Sequence, residues 1–445
     1  MKHLIRPAAL AVTGLAATLM LLLPASQAGA AVAGIEVATS IDLYASVDYV
    51  TSADGGSIPI WGLGDGPGRP QYPAPTLILQ QGVTVTINLH NNLAVTTSLI
   101  FPGHDVAGGG ACTGTAGLLT CEAAPGDSAS YTFTAEQPGT YLYHSGTDPA
   151  LQVEMGLVGA IVVRPFGFDP VNPTAYGHPD SAYDREYLFL LTEMDSRIHQ
   201  AVEFDDDFTD TDFLGDYFAD YWFINGRTGP DTMAGAGVSW LPTQPYNILP
   251  QMLPGETVLM RVVGGGRDPH PYHHHGNHAL LIARDGRLLS TGPGAGADLA
   301  YEVFTTQTVP GETYDLLFTW TGEEMGWDIY GTPADDMPAH TCNGLSGPSP
   351  GFDPVTNEYC PDHGKPLPVV LPENLDLAFG AFWSGSPFMG SAGSLPPGEG
   401  GLNPNAGYTF MWHSHTEKEL INNDIFPGGM LTMLIVQPPG TEIVE

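Results

Sequence analysis

The heptapeptide VTVTINL sends Val83, Val85, Ile87 and Leu89 to one face and Thr84, Thr86 and Asn88 to the other, the two-residue alternation of a half-buried strand. Runs of this kind recur along the chain: SYTFTA, TYLYH, GAIVV, EYLFLL, TVLMRVV, ALLIA, TYDLLFTW, YTFMWH and MLTMLIV. Turn sequences such as Pro125-Gly126-Asp127, Pro254-Gly255-Glu256 and Pro310-Gly311-Glu312 separate them. Short strands with Gly/Pro punctuation and almost no amphipathic helix predict an all-β protein made of antiparallel sandwiches or barrels.

An internal repeat divides the strands. TYLYHS from Thr140 matches TFMWHS from Thr409, and GLVGAIVVRP from Gly156 matches GMLTMLIVQP from Gly429, so both copies end in the same strand, loop and strand. This predicts one domain at residues 33–165 and a second at 183–440, the latter carrying a loop-rich insertion at about 331–405. A smaller third domain inside that stretch is the alternative.

Residues 1–30 read as a secretory signal peptide: Lys2 and Arg6 form a basic tip, an apolar run extends from Ala8 to Leu23, and Ala28 and Ala30 supply the small-residue cleavage pattern. An exported protein, periplasmic or extracellular, is therefore expected. No later run approaches the roughly 20 apolar residues of a membrane span. With 13 basic against 49 acidic residues and a formal charge of −36, nucleic acid and anionic lipid are excluded as expected partners. The four cysteines form two local pairs, Cys112 with Cys121 and Cys342 with Cys360, in loop-like sequence. Two loop-stapling disulfides and no free thiol are the expectation.

The segment DPHPYHHHGNH, Asp268 to His278, concentrates five histidines in eleven residues. On a strand, residues i and i+2 share a face, so His273 and His275 project together, as do His413 and His415. His144 stands where the repeat places His413. Neutral imidazole is a favoured ligand of copper and zinc, so these five side chains are candidate metal ligands at an interdomain or intersubunit site. Their affinity is expected to weaken below about pH 6, near the ordinary histidine pKa. The competing reading is a set of loop histidines hydrogen-bonded to carboxylates such as Asp268. For the acidic neighbours Asp148, Glu154 and Glu417, surface solvation is the expected role, completion of a mixed N/O site or proton transfer the alternative.

HPYHHHG, His270 to Gly276, resembles the H-P-x-H-x-H-G motif of the multicopper oxidases, the group of laccases and related cupredoxin proteins. YHSG from Tyr143 resembles their Y-H-S-H motif, WHSH from Trp412 their H-C-H motif, and APTLILQQGVTVTINLHNNL their first-domain opening. The resemblance implies tandem cupredoxin-like Greek-key barrels or sandwiches. It further implies a type 1 copper that passes electrons from a small reductant to a trinuclear centre reducing oxygen. His144, His273, His275, His413 and His415 match trinuclear ligands, His270 matches a type 1 ligand, and Met430 lies near the axial methionine. Homo-oligomers with copper between subunits are also known in the group.

The departures fall unevenly. Ile100-Phe101-Pro102-Gly103 replaces H-x-H-G, with His104 close by; Gly146 replaces the later histidine of the second motif; Ser414 replaces the type 1 cysteine; and Glu419 stands where a further histidine is expected. A serine hydroxyl supplies neither the soft ligand nor the electron route of a thiolate, so laccase-type transfer is not expected. Three functions remain: a copper-binding exported protein that stores, buffers or delivers metal, the number of ions open; an oxidoreductase with an altered copper site; and a metal-free scaffold binding an envelope or surface component.

Overall fold

In the computed structural model the alternating heptapeptide becomes strand Thr84–Asn91, with Val85, Ile87 and Leu89 fully buried. Its outer face is laced by hydroxyl pairs, Thr84 with Thr134 at 2.8 Å and Thr86 with Thr132 at 2.9 Å. Each buried aliphatic side chain contributes about 1.5–3 kcal/mol, whereas the threonine face stays wet, so the register is fixed by the inner face. The structure describes residues 32–106, 112–204, 216–323, 342, 351–353, 359–365, 385–386, 388–389, 401–402, 408–437 and 441–443. The expected signal peptide and most of the expected insertion lie outside them.

Among the described residues the strands form four larger sheets. A five-stranded sheet runs in the order Ser57–Gly64, Ser40–Thr51, Thr84–Asn91, Ser128–Thr134, Cys112–Thr113, and a four-stranded sheet in the order Ile35–Glu36, Leu77–Gln80, Val158–Arg164, Gly139–His144. They enclose one core containing Leu43, Leu79, Ile87, Tyr131, Tyr143 and Ile161. A seven-stranded sheet includes Arg185–Met194, Thr257–Gly264, Thr313–Thr319 and Ala279–Arg284; it faces a sheet ordered Gln251–Met252, Leu431–Val436, Tyr408–Ser414, His270–His274, Thr305–Thr308. Their shared core contains Phe189, Trp222, Tyr272, Phe318, Phe410 and Trp412. Helix is confined to short pieces, the longer α-helix being Ser196–Glu203. The all-β, cupredoxin-like sandwich expectation holds.

The repeat is reproduced in space. Gly139–His144 pairs antiparallel with Val158–Arg164, His144 opposite Val158, and Tyr408–Ser414 pairs antiparallel with Leu431–Val436, His413 opposite Leu431. No described ladder joins the strands before residue 165 to those after 184. They meet instead through side chains and an isolated backbone hydrogen bond, Tyr72 N–H to the Thr243 carbonyl at 2.7 Å. Arg185–Met194 is buried along its whole length: Phe189 and Leu191 enter their own sandwich core, while Leu188 and Leu190 pack on Leu142 and Ala160 of the first. That is why LFLL, Leu188 to Leu191, is continuously apolar rather than alternating.

Candidate metal centre

Strand His270–His274 lies between Tyr408–Ser414 and Thr305–Thr308, with His273 directly opposite His413. Two pairs read from the sequence as same-face pairs thereby converge. Ring centroids lie 4.6 Å apart for His273 and His275, 5.2 Å for His275 and His413, 5.5 Å for His273 and His413, and 5.0 Å for His273 and His415. The ligand nitrogens of His273, His275 and His413 all fall within 4.8 Å of one another, and the three side chains are buried. His275 follows the strand end, where Gly276 turns the chain at φ +110°; a Cβ there would come within 3.1 Å of the Phe410 ring.

Hydrogen bonds fix how the imidazoles face. Nδ1–H of His413 donates to the Ser414 carbonyl at 2.6 Å, and Nδ1–H of His273 to the Phe304 carbonyl at 2.7 Å. A carbonyl only accepts, so each proton sits on Nδ1 and each Nε2 keeps its lone pair, the tautomer a metal requires. His273 Nε2 is buried without a hydrogen-bond partner, and His413 Nε2 lies 3.2 Å from His275 Nε2. Burial, reinforced by neighbouring histidines, depresses His273 to about 3, and burial depresses His413 to about 4. His273 and His413 are thus neutral and keep Nε2 lone pairs, imidazole is a donor that suits copper, and with His275 beside them the set fits the ion.

The other expected ligands sit differently. His415 is exposed at the rim, its N–H donating to the Pro271 carbonyl at 2.8 Å. His144 repeats the His413 arrangement, with Nδ1–H on the Ser145 carbonyl at 2.9 Å, and burial lowers its pKa; it is not among the three clustered imidazoles. Ile100 bridges His144 through two backbone hydrogen bonds, so the degenerate first motif does lie beside it. His104 packs on Phe133 and Tyr141 at 4.7 and 4.5 Å, and burial depresses it to about 4. His274, between the two clustered histidines in sequence, turns into the core against Phe318 and Trp412.

The residues matched to a type 1 centre also assemble, but with different chemistry. Ser414 N–H donates to the Met430 carbonyl at 3.0 Å, Met430 N–H to the Glu419 carbonyl at 2.8 Å, and Ser414 Oγ accepts from Thr416 N–H at 3.2 Å. His270 is fully buried between two carboxylates, Glu193 at 2.8 Å from Nε2 and Glu419 at 2.9 Å from Nδ1. With no thiolate and both imidazole nitrogens engaged, this set does not fit a type 1 copper. Sequence reasoning missed Glu193, whose only signal was a carboxylate close behind the apolar run Leu188–Leu191.

One acidic neighbour differs from expectation. Asp148 and Glu417 are exposed, but Glu154 is 3% exposed and lies 3.4 Å from the buried His199, because the helical turn after Pro149 folds it inward beneath Ser196–Glu203. Both cysteine pairs are disulfides, each with Cα atoms 5.9 Å apart.

Part of the chain is similar to known proteins. A multicopper oxidase family model matches residues 69–166. An iron transport multicopper oxidase of Gibberella zeae is 40% identical over 124 residues, 28% of this chain and 18% of that protein. An L-ascorbate oxidase of Brassica rapa is 31% identical over 126 residues, 28% of this chain and 20% of the relative. The chain therefore matches only about a fifth of these relatives' length. In fold, it resembles the blue copper oxidase of Nitrosomonas europaea with a TM-score of 0.55 and 17% identity, over 90% of this chain and 86% of the other. Residues 69–166 thus match the multicopper oxidase family model, and the paired sandwiches share the fold of a solved blue copper oxidase.

Proposed function

We propose that this is an exported copper-binding protein that holds the metal through His273, His275 and His413, with His415 at the rim, and that it has no type 1 copper centre. The observation carrying this reading is the tautomer: backbone carbonyls take the Nδ1 protons of His273 and His413, so both Nε2 lone pairs stay available, that of His413 lying 3.2 Å from His275 Nε2. Copper bound there would supply a redox-active Lewis acid. The chain's own part is to keep two imidazoles neutral and aimed, since their protons are already held elsewhere. We assign His144 to the same function as a ligand brought to the centre by a second copy of the chain, a partner that the oligomer reading permits. The two sandwiches serve as two domains, at 33–165 and 183–440.

Replacing His273 and His275 together with alanine is expected to abolish stoichiometric copper binding, read by metal analysis and calorimetry, while the far-ultraviolet spectrum stays that of the parent. Copper retained at parental stoichiometry and affinity would remove this reading in favour of the scaffold.

A further inference from the structure

His270 has no solvent exposure, yet each of its ring nitrogens meets a carboxylate, Glu193 on one edge and Glu419 on the other. The acids come from separate elements: Glu193 from strand Arg185–Met194 of the facing sheet, Glu419 from the turn Glu417–Leu420. Glu193 is itself held, its Oε1 accepting the N–H groups of Arg267 at 2.5 Å and Asp268 at 2.9 Å. A carboxylate accepts and does not donate, and a neutral imidazole has one N–H. Two such contacts at 2.8 and 2.9 Å therefore require a ring carrying both protons, a cation between two anions.

We propose that Glu193, His270 and Glu419 form a metal-free charge triad in which an imidazolium stands where the family resemblance puts a type 1 ion, and that it positions the strand bearing His273. The carboxylates approach opposite edges of one ring, so no single ion reaches a His270 lone pair and both acids together. A copper ion would have to strip a proton from a ring that two carboxylates stabilise as the cation. The surroundings are consistent: Asp268, Glu154 and Tyr217 lie in the same electrostatic neighbourhood, and the Arg267 guanidinium stacks over the Tyr217 ring at 4.2 Å. Although burial opposes the charge, the hydrogen bonds and charges of Glu193 and Glu419 prevail and raise His270 to about 9. Three elements, two facing sheets and the turn after His415, thus meet at one charged ring. The triad stands whether or not the neighbouring cluster binds copper.

Imidazole nitrogen NMR on the full, otherwise unaltered chain tests this, the His270 signals being assigned by their absence in His270→Gln. At pH 7.5 both His270 nitrogens should be protonated and remain so after saturation with Zn2+, a diamagnetic probe. A neutral His270, or loss of its second proton on adding Zn2+, overturns the proposal. In Glu419→Gln, which keeps an acceptor but removes a charge, the His270 dissociation constant should rise at least about tenfold; an unmoved titration also overturns it. Should that variant fail to fold, the measurement on the unaltered chain decides. If Zn2+ and copper bind nowhere while His270 stays doubly protonated, the metal reading alone fails.

Discussion

At the scale of single residues, burial decides more than residue type. An ordinary histidine loses roughly 25-fold of its neutral fraction between pH 7 and pH 5. His273 and His413, depressed to about 3 and about 4, stay neutral across that window. The weakening of copper affinity expected from sequence below about pH 6 is therefore displaced: for these two ligands proton competition begins only as pH approaches about 4. With these two ligands exempt, calorimetric affinity should fall between pH 7 and 5 by no more than the roughly 25-fold that one exposed histidine would lose, and a larger fall would mean that His273 and His413 titrate as exposed histidines do. The same logic in reverse destabilises the metal-free protein in mild acid. Unfolded histidines bind protons below about 6.5 that the buried pair refuses, so stability drops as pH falls from about 6.5 towards 4. Ser414 makes a second outcome specific. With its hydroxyl accepting from Thr416 and every described cysteine in a disulfide, copper-loaded protein should lack the intense blue thiolate band. Observing that band would put a sulfur on the metal.

At the scale of elements, the disulfides act on loops and not on the site. Cys112 in the edge strand Cys112–Thr113 is joined to Cys121 in Cys121–Glu122, nine residues on, closing the hairpin whose tip exposes Leu118 and Leu119. A loop this short is worth about 2–3 kcal/mol through its closed-chain entropy. Replacing both cysteines with alanine should lower the unfolding free energy by that amount and leave copper stoichiometry unchanged. In unfolded parent protein without reductant, thiol titration should find no free sulfhydryl. Strand His270–His274 is a contrasting element: it is pinned on one side by hydrogen bonds to Thr305–Thr308 and on the other to Tyr408–Ser414, so its histidines are placed by ladders rather than by a loop.

At the scale of the whole molecule, the two sandwiches are joined by buried charge as well as by apolar packing. Glu186 accepts from Arg164 of the first sandwich and from Arg261 of the second at 2.9 Å; Arg261 also donates to Thr140, which donates to Asp315 at 2.5 Å. Burial alone would raise the Glu186 carboxyl, but Arg261 and Arg164 pull it down from 4.5 to about 2. Its contribution to stability is therefore fully present above the unfolded value near 4.5 and is lost as pH falls towards about 2. Glu186→Gln leaves two guanidiniums facing an uncharged amide, and should cost about 3–5 kcal/mol by denaturant titration at pH 7. The loss relative to parent should shrink as pH approaches 2. A loss below about 1 kcal/mol at pH 7 would mean that solvent reaches the network.

The alternating runs determined the β class because period-two burial is local: Val85, Ile87 and Leu89 need no knowledge of their partners to prefer one face. The repeat likewise foretold equivalent strands carrying His144 and His413, since repeated sequence imposes repeated register. Spacing alone also paired His273 with His275. What spacing could not supply was which strands become neighbours. Only the ladder between His270–His274 and Tyr408–Ser414 brings His273 opposite His413, and only that packing sends His274 inward and leaves His415 at the rim. Glu193 reaches His270 from 77 residues away in sequence, on a strand of the opposite sheet, and Glu154 is buried by a turn that sequence read as surface. Charge states followed from those meetings. Desolvation lowers the pKa of His273, while the approach of two distant carboxylates raises that of His270 three residues earlier, because electrostatic energy depends on separation and burial in space, which the order of residues does not contain.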